Sequence, residues 1–125
     1  MQYTILCYHS EKAVGAWTPE EDAATMQRLA VVQEKLHRQR KLGPVIRLMP
    51  TSAAFTLKKD REPALVVDGP FAETKEQLLG FYVVDCGSRE EVLEIAQELG
   101  RANPGGSYEI RPVALFNPLE SSSTG

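Results

Sequence analysis

Four ionisable side chains crowd one short stretch of the chain, Asp68-Gly69-Pro70-Phe71-Ala72-Glu73-Thr74-Lys75-Glu76. Carboxylates beside an ammonium suit general acid–base work: Asp68 or Glu73 would accept a proton while Lys75 steadies a developing anion. The backbone pattern supplies a rigid holder. Asp68 ends a β-rich run, Gly69 tolerates unusual dihedrals, and Pro70 fixes its own φ while restricting Gly69. Phe71 is then expected to plug the core and hold the loop down. The same residues also fit a rigid turn with solvated charges. In that version Phe71 braces a dimer and Glu73 and Lys75 form ion pairs, worth at most about 1 kcal/mol each when exposed.

Other chemistry-bearing residues are sparser. His9 follows a β run and can line a cavity mouth as a near-neutral acid or base, or simply end a strand. Tyr82, with Tyr8 and Trp17, can stack on a flat ligand or serve as a core aromatic. Cys7 and Cys86 lie in apolar runs and read as buried thiols rather than nucleophiles. Two separated histidines and two strand cysteines make no metal cluster. No Ser-His-Asp order, phosphate loop or dinucleotide fingerprint occurs, and no cofactor is implied. The cationic run Arg38-Gln39-Arg40-Lys41 fits the end of a helix and calls for no nucleic acid.

The elements that must position these groups are readable. Residues 3–8 form a strand, and a loop with Gly15 and Trp17 follows. Thr18-Pro19-Glu20-Glu21 is a capped helix start, with Met26, Leu29, Ala30 and Leu36 on the inward stripe, Gln33 as its polar lapse, and Gly43-Pro44 as the stop. Residues 45–48 form a strand, and residues 54–58 and 64–68 a hairpin. Residues 78–86 are the most apolar strand. Ser88-Arg89-Glu90-Glu91 repeats the capping pattern and opens a second helix carrying Val92, Leu93, Ala96 and Leu99 inward and closing at Gly100. A last strand spans residues 108–116, and Pro112 places it at a sheet edge. The order is a ferredoxin-like β-α-β-β-α-β plan with an extra β-hairpin, of class α+β.

The chain has 125 residues, 42% hydrophobic and 25% charged, with net charge −3. That suits one domain, residues 1–118, with residues 119–125 as a flexible tail. No run approaches the roughly 20 apolar residues of a membrane span. The start lacks a secretory pattern, and two cysteines fit a reducing, cytoplasmic setting. The mild acidity argues against a broad phosphate-binding surface. Residues 3–8 and 78–86 are apolar at nearly every position, hence on both faces of a sheet. Two helices cover one face, so a second copy of the chain is expected on the other, as a two-fold homodimer.

The run DGPFAETKEQLLGFYVVD resembles the signature of the DGPFAETKE (DGPF) group of YCII-related bacterial proteins, and the likeness runs from Tyr3 through Pro112. The resemblance implies a dimeric α+β barrel, two ferredoxin-like protomers joined through their sheets, each with a cavity for a small organic molecule. YCII-type members resemble one another in a histidine near the start of the first helix and an aspartate near its end. The comparable stretches here are Asp22-Ala23-Ala24-Thr25 and Leu36-His37-Arg38-Gln39, without that pair. Two functions follow as expectations. One is binding, or conversion, of a small molecule by Asp68, Glu73 and Lys75 with His9, Phe71 and Tyr82 as ligand contacts. The other is a non-catalytic accessory role in sigma-factor-controlled transcription initiation, with a sigma factor as partner.

Overall fold

The structure, a computed structural model, describes residues 1–117; the tail expected at residues 119–125 lies outside the described residues. The strand β1 (Gln2–His9) is followed by a five-residue helix α1 (Glu11–Gly15) and the long helix α2 (Pro19–Arg38). Next come β2 (Leu42–Arg47), a single 3-10 turn at Thr51–Ala53, and the hairpin β3 (Phe55–Lys58) and β4 (Leu65–Asp68). The chain continues through β5 (Gln77–Asp85), α3 (Arg89–Ala102) and β6 (Ser107–Pro112).

Strands β2-β5-β1-β6 form one antiparallel sheet, the strand order of a ferredoxin-like fold, and β3-β4 pair only with each other. β6 is an edge strand, as Pro112 requires, and its ladder ends at that residue rather than running to Phe116. On β1, Tyr3, Ile5 and Cys7 share a face with Val84, Tyr82 and Gly80 of β5. Both long helices lie on that face. Ile5, Leu36, Val84, Val92 and Leu99 are the largest side chains wholly buried between the layers.

Each helix starts where its cap dictates. Thr18 Oγ1 accepts from Glu21 N at 3.1 Å and Glu21 Oε1 accepts from Thr18 N at 3.1 Å, a complete capping box. At α3 only half of the expected box forms. Ser88 Oγ accepts from Glu91 N, but the Glu91 carboxylate reaches past it to Gly87 N at 2.7 Å and to Lys41 Nζ at 2.9 Å. That pairing holds Glu91 below the usual carboxylate range and Lys41 above its own.

Three local expectations are corrected. Helix α2 ends before Gly43-Pro44, because Arg40 adopts φ 58° and lets Lys41 N donate to Leu36 O; Gly43 and Pro44 instead sit in β2. The inward stripe of α2 is Thr25, Leu29, Val32 and Leu36, with Ala30 facing out. Helix α3 runs past Gly100 to Ala102, since burying Ala102 extends the stripe Val92, Ile95, Ala96 and Leu99; Leu93 falls one position off it and is exposed. The two helices are tied by Lys35–Glu98 at 3.1 Å and by Arg28 Nε donating to Ala102 O at 2.9 Å.

Leu99 is fully buried where α3 meets the sheet and α2. Leu99→Ala is expected to cost about 2–5 kcal/mol of unfolding free energy through lost burial and the cavity left behind. The shift in urea midpoint measures it.

Candidate functional site

The first site to place is the loop. Gly69 takes φ 102°, an unusual dihedral that glycine tolerates at the exit from β4, and its N–H donates to Ala54 O at 2.8 Å. Thr56 Oγ1 also donates to Gly69 O, so the loop's first residue is clamped to β3. Thr74 donates to the Glu76 carbonyl, and Gln77 Nε2 donates to Thr74 O. Asp68 and Glu73 line one open depression of about 450 Å3 with Thr51, Ser52 and Thr74. Lys75 is not among its lining residues, and Asp68, Glu73 and Lys75 are all solvent-exposed. Phe71 does not plug the core: it is 89% exposed, because among the described residues no element lies over the outward side of the loop.

A second cavity, of about 130 Å3, lies between α2 and the sheet. Its floor is Cys7 of β1, Tyr82 of β5 and Tyr108 of β6; its roof includes Met26 and Gln33 of α2. Thus the residue that interrupts the apolar stripe of α2 faces a polar-tipped aromatic floor. His9, Trp17 and Asn103 close one end. His9 and Trp17 meet edge to face, with ring centroids 6.4 Å apart and planes at 88°. His9 Nδ1 accepts from Ser10 N at 2.7 Å, which leaves Nε2 as the ring's donor.

The turn after α3 fixes that end. Gly105 has φ 94° and Gly106 φ 76°; a Cβ on Gly105 would lie 2.7 Å from His9 Nε2, and one on Gly106 2.2 Å from the Tyr8 carbonyl oxygen. Only glycine admits both the dihedrals and the approach. The short helix α1 braces the same corner. Ser10 Oγ caps it by accepting from Ala13 N, Glu11 N donates to Gln77 Oε1, and the Glu11 carboxylate accepts from Thr51 N and Oγ1. This helix is too short to show periodicity; Ser10 followed by Glu11 was its one sequence signal.

The cavity is electrically quiet. Burial pushes the Cys7 thiol up to about 12 and raises the Tyr108 phenol further. Burial also raises Tyr82, with the Gln33 amide pulling the other way. Arg47 stands at the rim with its charge matched by Asp22 at 3.0 Å. Among the described residues, Tyr108 Oη and Asn103 Oδ1 are buried with no hydrogen-bond partner. Of the residues expected at a ligand site, the fold thus brings His9 and Tyr82 together and leaves Phe71, Asp68, Glu73 and Lys75 outside. In the sequence Gln33 reads as a lapse and Tyr108 as a strand start, and Asn103 carries no signal of its own. Among the described residues, no three His, Cys, Asp or Glu side chains converge as metal ligands would, and no helix is long and apolar enough to cross a membrane.

Comparison with known proteins adds two findings. The family model of the YCII-related domain matches residues 1–117. An uncharacterized protein of Rhizobium meliloti (strain 1021) is 53% identical over 124 residues, which is 98% of this chain and 100% of the relative.

The thiols give a direct check. With Cys7 at about 12 and Cys86 raised by burial, both remain protonated at pH 8 in the native state and should resist a thiolate-selective disulfide reagent, while both react after unfolding in guanidinium. The native form therefore holds protons that the unfolded form releases above the ordinary thiol value of 9.0, so stability should fall as pH rises from about 9 towards 12. Rapid native labelling at pH 8 would contradict this placement. Gly106→Ala, forcing its Cβ against the Tyr8 carbonyl, should lower the melting temperature measured by circular dichroism.

Proposed function

The chain belongs to the YCII-related family, and from that premise we propose that it binds a small organic molecule in the cavity beneath α2. The observation that carries this reading is the cavity itself: about 130 Å3 of unfilled space in a layer where side chains ordinarily interdigitate, walled by aromatic and aliphatic groups with a few convergent polar ones. His9 and Tyr82, with Tyr8 and Trp17, are the residues lining it that also stand out in the sequence. The 68–76 run supports assignment to the DGPF group of the family.

The binding form is a homodimer. An accessible surface of 9266 Å2 supports this, since a monomer of 13.8 kDa is expected to show roughly 6,600 Å2. Crediting residues 118–125 with the full surface of an unfolded segment, roughly 1,200 Å2, still leaves a large excess. Much of it is apolar and lies on the hairpin and the neighbouring loops: Phe55 is 75% exposed, Leu57 57%, Val66 61% and Met49 78%. A two-stranded hairpin is marginal alone in water, so a second copy over this side gives it a reason to persist. Free Cys7 and Cys86 support a reducing, cytoplasmic setting.

The enzymatic version of the proposal puts the chemistry at the loop, with Asp68 or Glu73 taking a proton and Lys75 holding the anion. Its support is the shared depression of the two carboxylates. The accessory role with a sigma factor draws on the DGPF resemblance alone.

A melting-temperature screen of small organic molecules separates these sites, because a ligand at a hundredfold its Kd adds about 2.7 kcal/mol to native stability. Stabilising compounds should lose their effect in Met26→Trp, which fills the cavity, and keep it in the triple variant Asp68→Asn, Glu73→Gln, Lys75→Ala. The opposite pattern would move the site to the loop, and a screen without any stabilising compound would overturn binding.

A further inference from the structure

We propose that the cavity beneath α2 takes an uncharged, single-ring hydroxylated aromatic of the phenol class, its hydroxyl donating to Asn103 Oδ1 and accepting from Tyr108 Oη; this rests on the cavity being the binding site. Three observations converge on that chemistry.

Size is the first. A cavity of about 130 Å3 is close to the roughly 150 Å3 known to admit benzene in an engineered apolar cavity. One six-membered ring with one or two substituent atoms fills it; a nucleotide or a fused-ring cofactor does not fit.

The walls are the second. Trp17 and Met26 offer a flat aromatic and a polarisable thioether to a ring. Among the lining residues the permanent cation is Arg47, and Asp22 already matches its charge at 3.0 Å; His9, whose Nδ1 accepts from Ser10 N, stands there as a neutral ring. An anionic ligand would therefore be buried without a counter-charge, which is strongly unfavourable. The raised thiol and phenol groups of Cys7, Tyr82 and Tyr108 report the same reluctance to hold negative charge.

The third observation is the pair of orphans. Tyr108 Oη and Asn103 Oδ1 are buried in the cavity wall and pair with nothing among the described residues. A buried polar group left unpaired is unfavourable. One is a donor in search of an acceptor, the other an acceptor in search of a donor. A ligand hydroxyl, which both accepts and donates, has the chemistry to pair with both. A carbonyl ligand could satisfy Tyr108 alone, and a hydrocarbon neither.

The test is calorimetric titration of the full chain with phenol, toluene and benzoate, repeated on Tyr108→Phe and Asn103→Ala, with circular dichroism confirming that both variants remain folded. Phenol is expected to bind most tightly and benzoate not measurably. Loss of one anchoring hydrogen bond should weaken phenol about tenfold in either variant and leave toluene unchanged. Equal affinities for phenol and toluene, or phenol binding indifferent to both substitutions, would overturn the anchor while leaving the cavity as the site. Preferred binding of benzoate would overturn the requirement for a neutral ligand. If no ring compound binds but other molecules lose their stabilising effect in Met26→Trp, the phenol class fails and the cavity reading survives; if none does, both fail.

Discussion

The structure depends on a shortage of cover. Two long helices lie against one face of a four-stranded sheet, and six strands' worth of apolar side chains need shelter. Ile5, Tyr82 and Val84 find it beneath α2 and α3. Phe55, Leu57 and Val66, on a hairpin that pairs only with itself, do not. The resulting excess over the surface of an ordinary monomer is of the order of a thousand Å2, enough for one side of a stable interface. The sheet's open face is itself mixed: Leu6 and Phe81 lie there, but β6 adds Glu109 and Arg111 opposite Leu6 and Thr4. The strongest demand for a partner therefore comes from the hairpin and its flanking loops rather than from the whole sheet.

The covered side has the opposite character. There the helices pack closely except where α2 presents Gln33 and Met26 above Cys7, Tyr82 and Tyr108. A polar residue on an otherwise apolar stripe keeps the layers apart locally, and the turn at Gly105 and Gly106 holds His9 at the closed end beside Asn103. Closeness of backbone to side chain, rather than bulk, shapes this corner. The cavity and the uncovered hairpin thus arise from one distribution of side chains: packing is dense at Leu99 and Val92, loose at Gln33 and absent at Phe55.

Much of the architecture could be read from the chain because it is locally encoded. Thr18-Pro19-Glu20-Glu21 carries its own capping box, and Pro112 by lacking a donor fixes β6 at the edge. Gly69 was recognisable as a residue needing an unusual dihedral. The failures share a cause: each depended on tertiary contact. Whether Leu93 or Ile95 faced inward turned on one position of helical phase, and Gly100 stayed helical because Ala102 had a surface to bury against. Phe71, the one aromatic in the charged loop, is of a type that belongs in the core, yet no described element reaches over it. The candidate site divided in the same way. His9 and Tyr82 stood out by type and met in space, whereas Asn103 and Tyr108 gained significance only when folding buried them without partners.

Sedimentation equilibrium of the full chain at micromolar concentration tests the shortage of cover most directly. The account predicts a single species of twice the 13.8 kDa chain mass, with the hairpin amides protected from hydrogen exchange. A natively folded species of one chain mass, with those amides still protected, would contradict it.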